Sequence, residues 1–230
     1  MEQNVDSLDP FDDVPTFNVD TPWPSDHTDL RSVGKDWWLT ACVNLPLDRW
    51  IGYVTGYWRA AEVLVSHMAR TGRDQDYLVY PFLMCWRHYV ELQLKVVIRL
   101  IYLYQRTDEA LPRTHKIDVL WKSARRQLEE VFPEEPHDDL DNTERVLLQL
   151  NALDPTSEHF RYPITKDGSG TMPALQHVHM RRFHEAMDGV AHLLDAADAA
   201  IRQKIDARNE YESAMRDLYG VQNLGWEEYF

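Results

Sequence analysis

The stretch from Pro81 to Tyr104, PFLMCWRHYVELQLKVVIRLIYLY, decides how this chain folds. Its charged or titratable residues recur three or four positions apart, at Arg87, His88, Glu91, Lys95 and Arg99. On a helix these five side chains, here called the charged stripe, cover about a third of the circumference, and apolar side chains cover the rest. Isolated charges inside a core are costly. The pattern therefore predicts a buried central helix whose charged stripe faces a groove, a partner helix or a narrow strip of water.

Helical periodicity continues on both sides of this stretch. The other predicted helices are one from Pro46 to about Arg70, one over Ile117–Val131, a short one whose Asp141 and Glu144 resemble a capping box, and a long one from about Pro173 to Leu218. A turn at Asp167–Gly170 is the one place where a small hairpin is expected. Together these features predict an all-α fold, an antiparallel up-down four-helix bundle over residues 36–220.

The two ends of the chain differ from the bundle in composition. Residues 1–30 contain one Glu and seven Asp without Lys or Arg, which is more than half of the formal charge of −14. With its prolines, this composition predicts an acidic, disordered tail over residues 1–35, and residues 221–230 form a second, aromatic and acidic tail. The negative field disfavours general coating of nucleic acid and binding to anionic membranes.

The cysteine content and the hydrophobic pattern bear on the compartment. Cys42 and Cys85 both lie in apolar, helix-like sequence, which favours buried free thiols in a reducing environment. The first residues lack the basic start and apolar run of a signal peptide, and no uncharged apolar stretch reaches the length of a membrane span. We expect a cytoplasmic protein that does not bind membranes.

Familiar catalytic and metal motifs are absent from the sequence. The one Glu-x-x-His spacing joins Glu134 to His137 and is interrupted by Pro136, and the nearest approach to His-Glu-x-x-His begins at His184 but ends in Asp188. There is also no P-loop, Gly-x-Gly-x-x-Gly or Gly-x-Ser-x-Gly motif. We therefore expect neither a metal nor a cofactor.

The charged stripe allows two interpretations. Arg87, Glu91 and Lys95 have the spacing of a solvated ladder of ion pairs, which stabilises a helix only slightly. Alternatively, the three cations Arg87, Lys95 and Arg99 around the one anion Glu91 leave surplus positive charge. A polar ligand, a phosphate or a carboxylate from another helix would balance that charge. Arg161 lies in a loop at a predicted corner of the bundle, and this corner could direct its guanidinium inward, towards the charged stripe.

His115, which opens the third predicted helix, has two possible roles. It could fix a loop through a hydrogen bond to a carboxylate or carbonyl group. If it faces His88 or Glu91, the pair acquires acid–base potential.

Four segments resemble proteins of the HEPN family (higher eukaryotes and prokaryotes nucleotide-binding). They are GYWRAAEVL at 56–64, RHYVELQLK at 87–95, HKIDVLW at 115–121 and FRYP at 160–163. The similarity spans about residues 46–200 in the expected order. It implies a four-helix up-down bundle that often forms homodimers, with roles in bacterial defence, toxin–antitoxin systems or RNA processing.

Active HEPN proteins cut RNA without a metal, using an Arg followed after four to six residues by a His, and this chain has no such pair. The resemblance thus favours a binding or interaction domain with a buried polar network or a small anion pocket. A first alternative is a ribonuclease with a rearranged site, with His88 or His115 as the base and Arg87, Lys95 or Arg161 holding the phosphate. A second is a structural domain whose acidic tail regulates binding of a protein partner.

Overall fold

The computed structural model describes residues 23–32, 34–35, 37–43, 48–172 and 175–224, with only the backbone of residues 220–224. The chain divides into two units, Met1–Leu45 and Pro46–Phe230. The first unit carries a short 3-10 helix, Trp37–Leu39. The second carries α1 (Arg49–Thr71), α2 (Gln75–Gln105), α3 (Ile117–Val131), α4 (Asp138–Leu153) and α5 (Met180–Leu224). The described residues contain no strand, which confirms the all-α prediction.

Local chemistry sets the limits of α1. The Asp48 carboxylate caps its beginning by accepting a hydrogen bond from the backbone N–H of Trp50 at 3.1 Å. At its end Gly72 adopts a left-handed φ of +63°, and its N–H donates to the carbonyl of Met68. Only three residues, 72–74, connect α1 to α2. The two helices therefore form a hairpin.

The second helix forms the centre of the hydrophobic core. Trp86, Leu94 and Ile98 on α2 are fully buried. The helix packs against α1, α3 and α5, while α4 packs between α3 and α5. Burial on nearly every side explains why its sequence is apolar around most of its circumference.

Contacts along α2 give the directions of its neighbours. The rings of Phe82 and Phe183 lie 5.7 Å apart, and further along both helices Tyr89 donates a hydrogen bond to Asp195 at 3.1 Å. Because both positions advance together, α2 and α5 run in the same direction. Their N-terminal ends consequently lie at the same end of the bundle.

The third helix also runs in the direction of α2. Glu91 contacts His115 just before α3 begins, and Tyr102, later on α2, interacts with Ser123 and Gln127, later on α3. The connection over residues 106–116 must therefore return along α2 before α3 starts. The up-down alternation predicted for consecutive helices is not followed here, and the predicted four-helix arrangement is not confirmed.

Helix limits agree with the sequence for α3 and differ elsewhere. The central helix begins at Gln75, before the predicted Pro81, and α4 begins at Asp138, before Asp141. No side chain caps α4, since both predicted capping carboxylates lie inside the helix, where they pair with Arg125 of α3. The last helix begins only at Met180. The predicted hairpin is reduced to an isolated bridge between residues 164 and 170.

Other sequence predictions meet the structure only in part. Cys85 is buried as predicted, but Cys42 is exposed, because it lies outside the helices; both thiols are free. No helix in the described part of the chain has the length and apolar character needed to cross a membrane. The predicted helix starts at Pro46 and Pro173, most of the N-terminal tail and residues 225–230 lie outside the described residues.

Candidate functional site

Glu91 is the centre of a buried cluster of charges on α2. Only 5% of the residue is exposed. Its Oε1 atom accepts hydrogen bonds from Lys95 Nζ and from His115 Nδ1, both at 2.8 Å. Its Oε2 atom accepts one from Arg87 Nη1 at 3.2 Å. These four residues, here called the Glu91 network, join one carboxylate to three cationic or titratable groups.

Arg87 extends the Glu91 network to two other parts of the chain. The residue is 1% exposed, and its Nε donates to the backbone carbonyl of Asp154, at the end of α4, at 3.3 Å. Its Nη2 donates to the backbone carbonyl of His115, before α3. A guanidinium has five N–H donors in a fixed fork, so one side chain can connect three segments. The arrangement links α2, the end of α4 and the start of α3.

The electrostatics of the network favour the charged form of Glu91 despite its burial. Burial alone would raise the pKa of Glu91, but the hydrogen bonds from Lys95 and His115 and the charge of Arg87 outweigh it and lower that pKa. Burial is also the main reason that the pKa of Arg87 is lowered, against the opposing effect of Asp154 and Glu91. An arginine nevertheless stays protonated in proteins. Glu91 and Arg87 thus form a buried ion pair.

His115 presents the accessible edge of the Glu91 network. Its side chain is 71% exposed, while its Nδ1 is held by the buried carboxylate of Glu91. A carboxylate that binds one ring nitrogen fixes the orientation of an imidazole and leaves the other nitrogen to exchange protons. Chemically, this arrangement can accept or donate a proton at Nε2.

Three predicted site residues do not join the network. The Nδ1 atom of His88 lies 3.3 Å from the Met84 carbonyl, its ring lies 4.9 Å from that of Tyr57, and burial lowers its pKa. Arg99 pairs with Asp48 and lies over the ring of Trp50. Arg161 is exposed and donates through Nε to the Ser157 carbonyl at 2.6 Å. Four of the seven predicted residues therefore converge: Arg87, Glu91, Lys95 and His115.

Two supporting residues were not predicted in the roles that they have. Asp154 accepts a hydrogen bond from Arg87 through its backbone carbonyl, its charge opposes the lowering of the Arg87 pKa, and its buried carboxylate accepts the N–H groups of Glu158 and His159. Asn151 accepts the N–H of Ile117 at 3.2 Å, and so caps α3 from α4. Neither role has a sequence signal, because both depend on contacts between distant segments.

A cavity of about 690 Å³ lies beside the segment that follows Asp154. The start of α2, residues 159–163 and the residues leading into α5 form its wall. Leu83 and Phe160 are its fully buried apolar lining, and Arg161 is part of its polar lining. We call it the Arg161 cavity. Its volume is within the range of small-molecule sites.

Neither a metal cluster nor a relative identifies the site. In the part of the chain that the structure describes, no group of three His, Cys, Asp or Glu residues is placed to hold a metal ion. No known family model, curated protein or solved structure matches the chain. The resemblance to HEPN proteins stays a prediction.

Proposed function

We propose that this chain is a HEPN-like binding domain in which the Glu91 network is a structural element and the Arg161 cavity receives the ligand. The observation that supports the structural role is the pairing of Glu91 with Arg87, Lys95 and His115. Three cations around one anion suggested a missing counter-ion. Backbone carbonyls accept hydrogen bonds from Arg87 as well, and the charge of Asp154 also acts on its guanidinium, so Arg87 has its partners within the chain.

The network has a direct route to the cavity. Arg87 binds the backbone of Asp154, and the Asp154 carboxylate holds the N–H groups of Glu158 and His159. The next residues, Phe160 and Arg161, line the cavity. The network therefore serves to position one wall of a binding site, as rigid supporting residues do in many sites.

The experiment uses N-phenylnaphthylamine, a neutral apolar dye whose fluorescence rises in a dry site. We expect saturable binding to the full chain, and loss of binding in Val79→Trp, which fills the cavity from α2. The control is Val63→Trp, which adds the same ring on the outer face of α1 and should not change binding. Absence of dye binding, or equal binding by both variants, would contradict a ligand-binding cavity.

A metal-independent endoribonuclease is the second candidate. It is favoured by the exposed imidazole of His115, which Glu91 orients through its Oε1 atom. Lys95 donates a hydrogen bond to the same oxygen. In that function His115 would take the proton of the ribose 2′-hydroxyl while the 2′ oxygen attacks the phosphorus. The bond to the 5′ oxygen would break, water would supply the proton of this leaving group, and Lys95 would stabilise the phosphate charge. His88 is a weaker candidate for the base, because it binds a backbone carbonyl of its own helix.

Incubation of the full chain with mixed RNA in EDTA tests this second function. A ribonuclease of this kind would cleave RNA without metal, and His115→Ala would lose cleavage while His88→Ala would retain most of it. Absence of cleavage by the unchanged chain, or equal cleavage by the His88→Ala/His115→Ala double variant, would eliminate it.

The assembly, location and biological role are proposed from the resemblance and composition. We propose a cytoplasmic homodimer that acts in a defence or toxin–antitoxin system and that has a protein partner recruited or blocked by the acidic N-terminal residues. Light scattering after size-exclusion chromatography distinguishes a dimer of the 27.1 kDa chain from a monomer. A monomer at micromolar concentration would contradict the homodimer.

A further inference from the structure

Arg161 is held in place but its charge is not neutralised. Its Nε donates to the Ser157 carbonyl at 2.6 Å, and its guanidinium carbon lies 5.7 Å from the centre of the Tyr162 ring. No carboxylate of the described residues pairs with it, whereas the nearby Lys166 pairs with Glu158 at 3.4 Å. The bond through Nε leaves the two terminal nitrogens as donors. A guanidinium presents these two donors side by side to an oxyanion.

The charge of Arg161 acts on buried and half-buried groups of α2, and the starts of two helices add to the positive potential at the cavity. Burial is the main cause of the low pKa of His88, and the charge of Arg161 lowers that pKa further, as it also does for Arg87. His159 and His177 contribute imidazole groups to the polar lining. Because α2 and α5 run in the same direction, both begin at this cavity, where the partial positive charge of a helix is located.

Asp76, in the first turn of α2, is the acidic residue among those that line the cavity. It is exposed, and it forms no ion pair with Arg161. It offsets part of the potential at the start of α2 without occupying the guanidinium. The terminal nitrogens of Arg161 therefore stay available to a ligand.

The remainder of the lining is apolar. Leu83 and Phe160 are buried, and half-buried Val79, Leu175 and Val178 surround them. Such a surface favours a hydrocarbon or aromatic group through the removal of apolar area from water. One cavity thus offers a cation and an apolar surface to the same molecule.

We propose that the Arg161 cavity binds a carboxylate with an apolar body, such as a fatty or aromatic acid. This inference rests on the proposed binding function and names the chemical class of its ligand. The terminal nitrogens of Arg161 hold the carboxylate, and the apolar body lies on Leu83 and Phe160. No bond is made or broken.

The test compares two dyes that differ by one anionic group, N-phenylnaphthylamine and anilinonaphthalene sulfonate. We expect the full chain to bind the sulfonate about tenfold more tightly, because a charge-assisted hydrogen bond contributes about that factor. Arg161→Gln should remove this preference without changing the affinity for the neutral dye. Arg161→Lys should retain part of it, because a lysine keeps the charge but not the paired donors.

Arg126→Gln is the matched control, since it removes an equal charge from an exposed side chain of α3. Octanoate should displace the bound sulfonate dye, whereas octanol at the same concentration should displace much less. Melting temperatures of the variants establish that each is folded, and if Arg161→Gln does not fold, the comparison of Arg161→Lys with Arg126→Gln decides.

The two proposals fail in different ways. If neither dye binds, both the binding function and the carboxylate ligand are wrong. If the neutral dye binds and Val79→Trp blocks it, but Arg161→Gln leaves the preference for the sulfonate unchanged, only the carboxylate inference is overturned. Equal displacement by octanoate and octanol also overturns it.

Discussion

At the scale of single residues, the Glu91 network predicts a graded loss of stability. Arg87 is buried, so Arg87→Ala leaves the Glu91 charge without its deepest partner and should lower the free energy of unfolding by about 3–5 kcal/mol. His115→Ala removes a mostly exposed partner and should cost at most about 1 kcal/mol. Urea unfolding measures both. The control is Arg126→Ala, which removes a surface ion pair with Glu130 at 3.9 Å and should cost less than about 0.5 kcal/mol. An equal loss of stability in all three variants would contradict the network.

The lowered pKa of Glu91 predicts the pH dependence of stability. A carboxyl group whose pKa is lower in the folded than in the unfolded chain binds fewer protons when folded. Its stabilising contribution is thus complete above the unfolded pKa and is lost as the pH falls through the folded pKa, which lies below the ordinary range of a glutamate. Glu91→Gln should make unfolding free energy less dependent on pH in this acid range. An unchanged acid slope would show that Glu91 is not ionised in the fold.

The sequence predicted those contacts of the site that lie on one helix. The spacing of Arg87, Glu91 and Lys95 is enough to place their side chains together, and the structure has both pairs. His88 and Glu91 were the two partners considered for His115, and in the structure its partner is Glu91. The pairing of Arg99 with Asp48 could not be predicted, because it joins residues on two helices whose register is set by the whole core.

At the scale of elements, Asp154 predicts how the loop after α4 is held. Its carboxylate accepts the N–H groups of Glu158 at 2.9 Å and His159 at 3.1 Å. Asp154→Ala removes the one oxygen, Oδ1, that accepts both hydrogen bonds, and by the magnitude of a lost capping interaction it should cost about 1–2 kcal/mol. Hydrogen exchange should quicken at these two amides and little at α2. The control is Asp139→Ala, which removes an exposed carboxylate from the first turn of α4. If this variant has the same effect on stability and exchange, Asp154 does not fix the loop.

The helices show which element limits depend on local sequence alone. α3 begins and ends as its amphipathic pattern predicts, at Ile117 and Val131. The start of α4 lies three residues before the predicted Asp141, and Asp141 and Glu144 pair with Arg125 of a different helix rather than with their own backbone. The predicted hairpin is not a pair of strands; among the described residues of this segment there is one bridge, between residues 164 and 170. Tertiary contacts override the local signal in these cases.

At the scale of the whole molecule, the division after Leu45 predicts that the helical unit is independent of the acidic residues before it. Residues 1–45 contain nine acidic and two basic residues, so their removal changes the formal charge from −14 to −7. Residues 46–230 keep all five α-helices and the Glu91 network. We therefore expect the melting temperature of residues 46–230 to lie within about 2 °C of the full chain, because a change below about 0.5 kcal/mol shifts it no further.

The same deletion also tests the proposed protein partner. Binding of a basic protein should weaken on deletion if the acidic residues recruit it, and strengthen if they block it.

The same deletion separates a charge effect from a packing effect. Salt screens repulsion between like charges, so added salt should raise the melting temperature of the full chain more than that of residues 46–230. If the deletion lowers the melting temperature by more than about 5 °C at every salt concentration, residues 1–45 bury part of the helical core. A loss of apolar contacts has an effect of this size, and salt does not remove it.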